Sequence, residues 1–366
     1  MPQYKTAIIG CGRIGCLLED DPLRPHPCTH AGGYSALKKT HLVAACDINK
    51  ERLIAFGKRW NVQRLYEDYK DMLVKEDIDI ISIASWTETH SQMVIDAACR
   101  GIKGIFCEKP IALNLKQADE MLAACNTHKT HLVINHERRW EAPYIKAKGL
   151  INSGRIGTIR TIVGNVLCGK PITGDWRSIL KRAGGGPLLH DGTHLFDMMR
   201  FLAGDVEWVS GHVERRNKDI GVEDIASGQL YFKNGVNGLF ESGGLRNYFS
   251  FELDIQGSNG RILVGNGISG LWIAEKSRRY SGFSDLVPKP SPFKKKPVNS
   301  YIECIRELIK AIEGNGQSCS TGLDGRAALE LVMAVYESAR LNGARVTLPL
   351  LIKQSPLEIM FEEGKL

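Results

Sequence analysis

Six consecutive residues constrain this chain more than any others: Gly10-Cys11-Gly12-Arg13-Ile14-Gly15, directly after the short apolar run Lys5 to Ile9. A GxGxxG turn at the end of a buried strand opens a βαβ unit. The first glycine permits the tight turn, the second lets the backbone approach a pyrophosphate, and the third lets helix and strand pack closely. The amides that begin the following helix, those of Arg13 and Ile14 among them, then face an anion at the positive end of the helix dipole. The pattern alone is weak. It gains from the next apolar run, His41 to Cys46, which ends at Asp47. A carboxylate there would accept hydrogen bonds from the adenosine ribose and repel a 2′-phosphate. Together these features predict a dinucleotide site that takes NAD rather than NADP.

One spacing departs from the usual unit. Asp47 follows Gly15 by 32 residues, where about 20 is normal. The excess falls between Glu19 and His30 and reads as an insertion after the first helical turn, before a helix near Tyr34 to Leu37. It is placed to fold over the nicotinamide end or the substrate, with His30 touching substrate and Arg24 supplying a cation. His26, Cys28 and His30 resemble metal ligands, but their spacing is cramped for a closed zinc site and a fourth ligand is not evident. No metal is expected.

Two further apolar runs, Ile78 to Ile83 and Gly104 to Cys107, alternate with helical patterns over 90–100 and 115–125. Asn114 is positioned to cap the second helix, with Gln117 at the third helical position of a capping box. Such alternation predicts a mostly parallel α/β sheet. Near residue 135 the pattern changes. A helix over about 141–153 is followed by period-two segments at 160–167, 227–232, 236–242 and 249–256, interrupted by helical text over about 188–202. The expected architecture is therefore an α/β Rossmann domain over 1–135 and an α+β domain over 136–366. Residues 275–298, with four prolines, read as an arm or flap, and helices close the chain at 299–313 and 322–341.

At 366 residues and 43% hydrophobic, the chain has material for two cores. It has no run of eighteen apolar residues, so no membrane span is expected. None of its ten cysteines forms a CxxC pair, which favours a reducing, cytoplasmic setting over a disulfide scaffold. The net charge of +7 is too dispersed to imply nucleic-acid binding. Its densest piece, Lys294-Lys295-Lys296, reads as a solvated loop.

Two segments carry candidate chemistry. Cys107-Glu108-Lys109-Pro110 follows a strand, and ligands of open α/β sheets sit outside the carboxyl ends of strands, so Lys109 belongs beside the cofactor. Pro110 is a candidate for a cis bond. The second segment runs from the triple glycine 184–186 through His190, Asp191, His194 and Asp197. On one helix His190 and His194 would share a face, with Asp191 a near neighbour of His194. Asp197 is placed to orient His194 or hold the helix.

With these motifs, GCGRIG at 10–15, EKP at 108–110, SGRIGTI at 153–159, GGGPLLHDGTH at 184–194 and VTLPL at 346–350, the chain resembles the glucose–fructose oxidoreductase, inositol dehydrogenase and rhizopine-catabolism family. The resemblance implies a C-terminal domain built on a large, mostly antiparallel open sheet. One face would carry the substrate site and the other a homodimer or homotetramer interface. It implies NAD-dependent chemistry on a small polyhydroxylated substrate, a sugar or cyclitol. Lys109 falls on the lysine that hydrogen-bonds the reacting oxygen, and His194 on the histidine that exchanges the hydroxyl proton. Ser85, Trp86, His90 and Glu108 fall on the cofactor side. Arg138 and Arg139, and Trp176 with Arg177, fall on substrate-lining segments, with one of the two arginines facing the pocket and the other the domain interface, in an order the sequence leaves open. Asp324-Gly325-Arg326 opens a family-like helix with a structural role.

The chain departs from that family where it matters. The usual aspartate four residues before the histidine is His190 here, and the carboxylate sits one place on, at Asp191. A one-residue move turns a helical side chain by about 100°, so either His190 or Asp191 takes over the missing contact. Trp86 stands where proline is usual and is a candidate to stack on the nicotinamide or sugar. Two other readings share the fold: a dinucleotide-binding regulator without catalysis, and a glycosidase that works through transient oxidation.

Overall fold

The computed structural model describes residues 4–169, 174–293 and 299–366. It divides into two compact units, Met1–Trp140 with Val298–Arg326 and Glu141–Pro297 with Ala327–Leu366. The Lys294–Lys296 cluster lies outside the described residues.

In the first unit, strands β1 (Tyr4–Ile9), β2 (Thr40–Cys46), β3 (Arg64–Tyr66), β4 (Ile80–Ile83), β5 (Gly104–Cys107) and β6 (His131–Ile134) form one sheet in the order β3-β2-β1-β4-β5-β6. All its pairings are parallel. Ala7, Ile8, Ile80, Ile81 and Ile105 have no exposed surface, as befits a sheet covered on both faces, and this explains their uninterrupted apolar runs. Order reverses between β1 and β4, and ligands of such sheets bind beyond the strand ends at that reversal.

The helix expected straight after the glycines is interrupted. A single turn follows Gly12, a 3₁₀ turn spans Leu17–Asp20, and α1 begins only at His30 and runs to Ser35. The two pieces nevertheless share one hydrogen-bond ladder. The His30 amide donates to Ile14 O at 3.2 Å and the Ala31 amide to Gly15 O at 3.0 Å. Each pair is sixteen residues apart where a continuous helix has four. Twelve residues are thus looped out, and they account for the long spacing from Gly15 to Asp47. Glu19 ties the excursion: its carboxylate accepts from the Cys28 amide at 2.7 Å and from the Thr29 hydroxyl at 2.8 Å, and contacts His26 Nδ1 at 2.8 Å. Burial works to raise the Glu19 carboxyl, but these three contacts outweigh it and hold it below its ordinary value.

Helices α2 (Lys50–Trp60), α3 (Tyr69–Lys75), α4 (Thr87–Cys99) and α5 (Leu115–His128) complete the crossovers. Asn114 caps α5 by accepting from the Gln117 amide at 3.0 Å, as its spacing predicts. Gln117 reaches back one residue further than a capping box does, to the Leu113 amide at 3.0 Å.

The second unit opens with α6 (Ala142–Asn152) and β7 (Ile159–Leu167). Three short helices follow: α7 (Leu180–Ala183), α8 (Pro187–His190) and α9 (Gly192–Ala203). Then come β8 (Val206–Glu214), β9 (Ile225–Phe232), β10 (Asn237–Gly243), β11 (Ser250–Gly257), β12 (Gly260–Gly265), β13 (Ile268–Lys276) and β14 (Ser284–Pro288). With β15 (Val346–Thr347) they make a nine-stranded sheet, β14-β13-β12-β11-β7-β10-β9-β8-β15, in which only β10–β7 is parallel. Alternate residues of β7, β8 and β11 are buried, the signature of a sheet with one covered face, here packed by α6 and α9. The segment read as an arm is in part the sheet's edge, since β14 pairs with β13 from Ser284 to Pro288. Pro288 is tolerated because it ends an edge strand.

The expected single helix over 188–202 is broken at Asp191, which ends α8 and N-caps α9 with φ −105°. His190 and His194 therefore stand on different helices, and the shared-face argument for them lapses. A second correction concerns α10 (Ser300–Ile312), which sequence order assigned to the second domain. Its Tyr301, Cys304, Ile305, Leu308 and Ile309 are buried in one cluster with Ile8, Tyr34, Phe106 and Val133 of the first unit. The boundary between units then falls within α11 (Gly322–Arg340), and α12 (Pro356–Glu362) closes the chain. All ten cysteines are free thiols, and among the described residues no helix is long and apolar enough to cross a membrane.

Candidate active site

Each glycine of the first turn is required for a different reason. Gly10 has φ +96°, and a Cβ there would lie 2.5 Å from Ala84 O. At Gly15 a Cβ would meet Gly10 O at 2.0 Å. Gly12 is different, because its nearest neighbour would be Arg52 Nη1 at 3.8 Å, leaving open space on that side. A bare backbone facing open space, with two sterically locked glycines around it, fits a pyrophosphate. The exposed Arg13 and half-buried Ile14 lie on the same turn. Asp47, at the end of β2, accepts from the Asn49 amide at 2.8 Å and from the Cys11 amide at 2.8 Å, and contacts Arg52 Nη1 at 3.4 Å. The carboxylate is thus fixed against the glycine turn. Asp47→Ala is expected to lower kcat/KM for NAD about tenfold and narrow the preference over NADP. Parallel kinetics with both cofactors check this, and an unchanged ratio contradicts it.

Beyond β4 and β5 several predicted residues gather, with roles the sequence did not separate. Ser85 Oγ bonds Thr89 Oγ1 at 2.7 Å, and the half-buried Trp86 precedes α4. Lys109 is half-buried and its bond to Pro110 is cis. His90, a cofactor-side candidate whose place at the head of a helix also reads as structural, is buried with Nδ1 2.9 Å from Pro110 O and Nε2 3.2 Å from Ser85 O. Burial lowers its pKa, keeping the ring neutral, so one nitrogen carries the proton, and the shorter contact marks Nδ1 as donor. His90 is thus bonded to the Pro110 turn and packed against the Ser85 turn. His30, expected to touch substrate, has no exposed surface. Its ring nitrogens meet Ser82 Oγ at 2.8 Å and Glu108 Oε1 at 2.9 Å. Glu108 is buried behind Lys109 rather than presented to a ligand.

Of the two arginines left unassigned between pocket and interface, Arg139 has the structural ties. Its guanidinium donates to Cys319 O and, at 3.1 Å, to Asp324 Oδ1, which commits it to holding the segment before α11. Arg138 beside it is buried as well. The expected structural role of Asp324–Arg326 holds, since Arg326 also pairs with Asp119 at 2.6 Å. His26 and Cys28 do approach one another, but with Glu19 as third group rather than His30.

The second unit gathers another polar cluster. Asp175 caps the 3₁₀ turn Trp176–Ser178 and receives Arg177 Nε at 2.8 Å and Nη2 at 3.0 Å. Arg177 is the main cause that holds the Asp175 carboxyl below its ordinary range, with His190 among the lesser causes. Trp176 meets the His190 ring edge-on at 5.3 Å. Burial pushes the nearby Cys168 thiol up to about 12, with Asp191 contributing. Trp176, Arg177, His190 and Asp191 therefore form one neighbourhood, with His194 on the first turn of α9 and Asp197 fully buried one turn on.

Sequence reasoning missed the residue that sets this loop. Glu223 is buried, and its carboxylate accepts from the Gly186 amide at 2.7 Å, the Leu188 amide at 3.1 Å and the Tyr336 hydroxyl at 2.9 Å. A Cβ at Gly186 would lie 1.9 Å from Glu223 O, and one at Gly185 2.4 Å from the Tyr336 hydroxyl, which explains both glycines. The only signal was an acidic pair, Glu223-Asp224, at the head of an apolar strand. Burial pushes the Glu223 carboxyl up to about 7. A folded-state value above the unfolded one contributes stability in full below about pH 4.5, lost as pH rises through about 7. Glu223→Gln removes that titration. The wild-type-minus-variant difference in Tm is therefore expected to fall by several degrees between about pH 5 and 8. Calorimetry checks it, and a pH-independent difference contradicts it.

Comparison with known proteins gives the family and the fold. Residues 4–136 match the profile described as oxidoreductase family, NAD-binding Rossmann fold. Residues 144–263 match the GFO/IDH/MocA C-terminal domain. The chain is 29% identical to a D-apiose dehydrogenase of Paraburkholderia graminis, across 97% of this chain and 92% of that one. It is 27% identical to a myo-inositol 2-dehydrogenase of Thermotoga maritima, across 91% and 96%. In fold it is similar to the WlbA dehydrogenase of Bordetella pertussis, solved with NADH and UDP-GlcNAcA, with a TM-score of 0.77 at 23% identity over 95% and 99% of the two chains.

Proposed function

The chain belongs to the GFO/IDH/MocA family of NAD-dependent oxidoreductases, and from that premise we propose that Lys109 and His194 serve one secondary hydroxyl or ketone carbon of a sugar or cyclitol. The observation that carries the proposal is the position of Lys109. It stands just past the end of β5, on the edge of the parallel sheet where the glycine turn ends β1 and Asp47 ends β2, the edge at which such sheets bind dinucleotides.

NAD, held by the glycine turn and Asp47, supplies a hydride acceptor when bound. The chain's own residues manage the proton and the charge. Lys109 donates a hydrogen bond to the substrate oxygen, which carries more negative charge in the transition state than in the hydroxyl, so the interaction lowers the barrier. His194 takes the hydroxyl proton, and imidazole suits the task because it ordinarily titrates near neutral pH. His190 or Asp191 grips a neighbouring hydroxyl in place of the family's usual aspartate, with Trp176 packed against His190 and Arg177 beside them. Arg138 is proposed to line the same substrate. Self-association through the nine-stranded sheet is part of the proposal; alternate residues of β7, β8 and β11 face away from the helices that pack the sheet.

The test is a panel of sugars, cyclitols and sugar acids with NAD, read as NADH absorbance at 340 nm. Turnover with a polyol is the expected result. Dinucleotide binding without turnover on any member favours the regulator, and release of sugar from a glycoside without net NADH favours the glycosidase.

A further inference from the structure

We infer that His30 and Glu108 form a buried positioning pair that holds the Lys109 turn in register with the glycine turn, an assignment that rests on the role of Lys109 proposed above. The glycine turn fixes where a dinucleotide lies, and the residues after β5 fix where the ammonium lies. His30 touches both. Its backbone amide donates to Ile14 O in the glycine turn at 3.2 Å, while its side chain reaches Glu108, the residue preceding Lys109.

The hydrogen bonds allow the protons to be placed. Glu108 Oε1 lies 2.9 Å from His30 Nε2 and 2.5 Å from Asn135 Nδ2, and Oε2 lies 3.3 Å from the Lys109 amide. A buried carboxylate is tolerated only where donors converge on it, and here three do. At the other side of the ring, His30 Nδ1 meets Ser82 Oγ at 2.8 Å, and Ser82 Oγ meets the Tyr34 hydroxyl at 2.8 Å. With a neutral imidazole one direction satisfies every member: Tyr34 donates to Ser82, Ser82 to Nδ1, and Nε2–H to the ionised Glu108. Burial works to raise the Glu108 carboxyl, but the His30 bond, Asn135 and Lys109 outweigh it and hold it below its ordinary value. Phe106 and Tyr301 flank the ring at 4.3 and 5.7 Å, so the imidazole has little room to turn.

The looped-out residues give the arrangement its meaning. The chain leaves the first helical turn, travels twelve residues, and returns in the original helical register with His30 first in α1. Thr29 caps that return, its side chain accepting from the Gly32 amide at 3.1 Å. The excursion is long, yet the residue at its return is held by two side-chain bonds, to Ser82 on β4 and to Glu108 just past β5.

The experiment compares His30→Ala, His30→Gln and Lys109→Ala in the full chain. It measures kcat, NADH affinity by fluorescence titration, and hydrogen–deuterium exchange of residues 105–113 without cofactor. Misplacing the Lys109 turn by a fraction of an ångström to 1 Å is expected to lower kcat in His30→Ala by about tenfold to 100-fold, to speed exchange over 105–113, and to change NADH affinity far less. His30→Gln, whose amide N–H can replace Nε2–H toward Glu108, is expected to recover most of both losses. Parental kcat and exchange in His30→Ala overturn the inference, and so does equal impairment in the two His30 variants, which would mark packing alone. Parental turnover in Lys109→Ala instead overturns the functional reading beneath it, whereas an inactive Lys109→Ala beside a fully active His30→Ala removes the pairing only.

Discussion

Lys109→Ala is expected to lower kcat about 100-fold or more, while NADH affinity stays close to that of the parent. The magnitude follows from what the ammonium does. It donates to an oxygen whose charge grows along the reaction, and losing one such preorganised donor typically costs about 3 kcal/mol in the barrier. Binding should survive, because the groups assigned to the dinucleotide are elsewhere: the open backbone at Gly12 and the carboxylate of Asp47, fixed by the Cys11 and Asn49 amides. Lys109→Arg should recover little, since a planar fork does not replace a compact point charge. Steady-state rates and NADH titration separate the effects. Loss of binding in parallel with loss of rate would place Lys109 on the cofactor instead.

His194→Ala is expected to cost a similar factor, about 100-fold to 10,000-fold, as the general acid–base step is lost. His190→Ala should cost less and act chiefly through KM. The break at Asp191 separates these two histidines, since His190 ends α8 beside Trp176 whereas His194 lies in the first turn of α9. On the proposed reading His190 is a substrate contact and His194 the proton carrier. The pH profiles of kcat should also differ, with the His194 variant losing a limb that the His190 variant keeps. Equal loss of kcat in both, with unchanged KM, would contradict this division.

Much of this was legible in the sequence because it depends on local rules. Gly10 and Gly15 meet a steric demand their spacing announces, and Gly12 leaves the open backbone between them. Asn114 caps the helix it precedes, and the over-long gap before Asp47 announced an insertion. Other features depend on contacts between distant residues. The amphipathic face of α10 does not say which sheet it covers, and only packing against Ile8 and Phe106 assigns it to the first unit. His30, His90 and Arg139 have the chemistry of ligand-binding residues, yet their polar atoms are committed to buried ties. Residue type does not distinguish a group that meets a ligand from one that holds its neighbour. Glu223 shows the converse, as it sits in the short segment before β9 yet fixes the amides of Gly186 and Leu188. The break at Asp191 escaped notice because the periodicity continues through it.

A crystal structure of the protein with NAD and a trapped polyol would test the assignment of Lys109 and His194 most directly. The account predicts Nζ of Lys109 and the imidazole of His194 within about 3 Å of the same substrate oxygen. Side chains directed to separate surfaces, with the substrate carbon served by other groups, would contradict it.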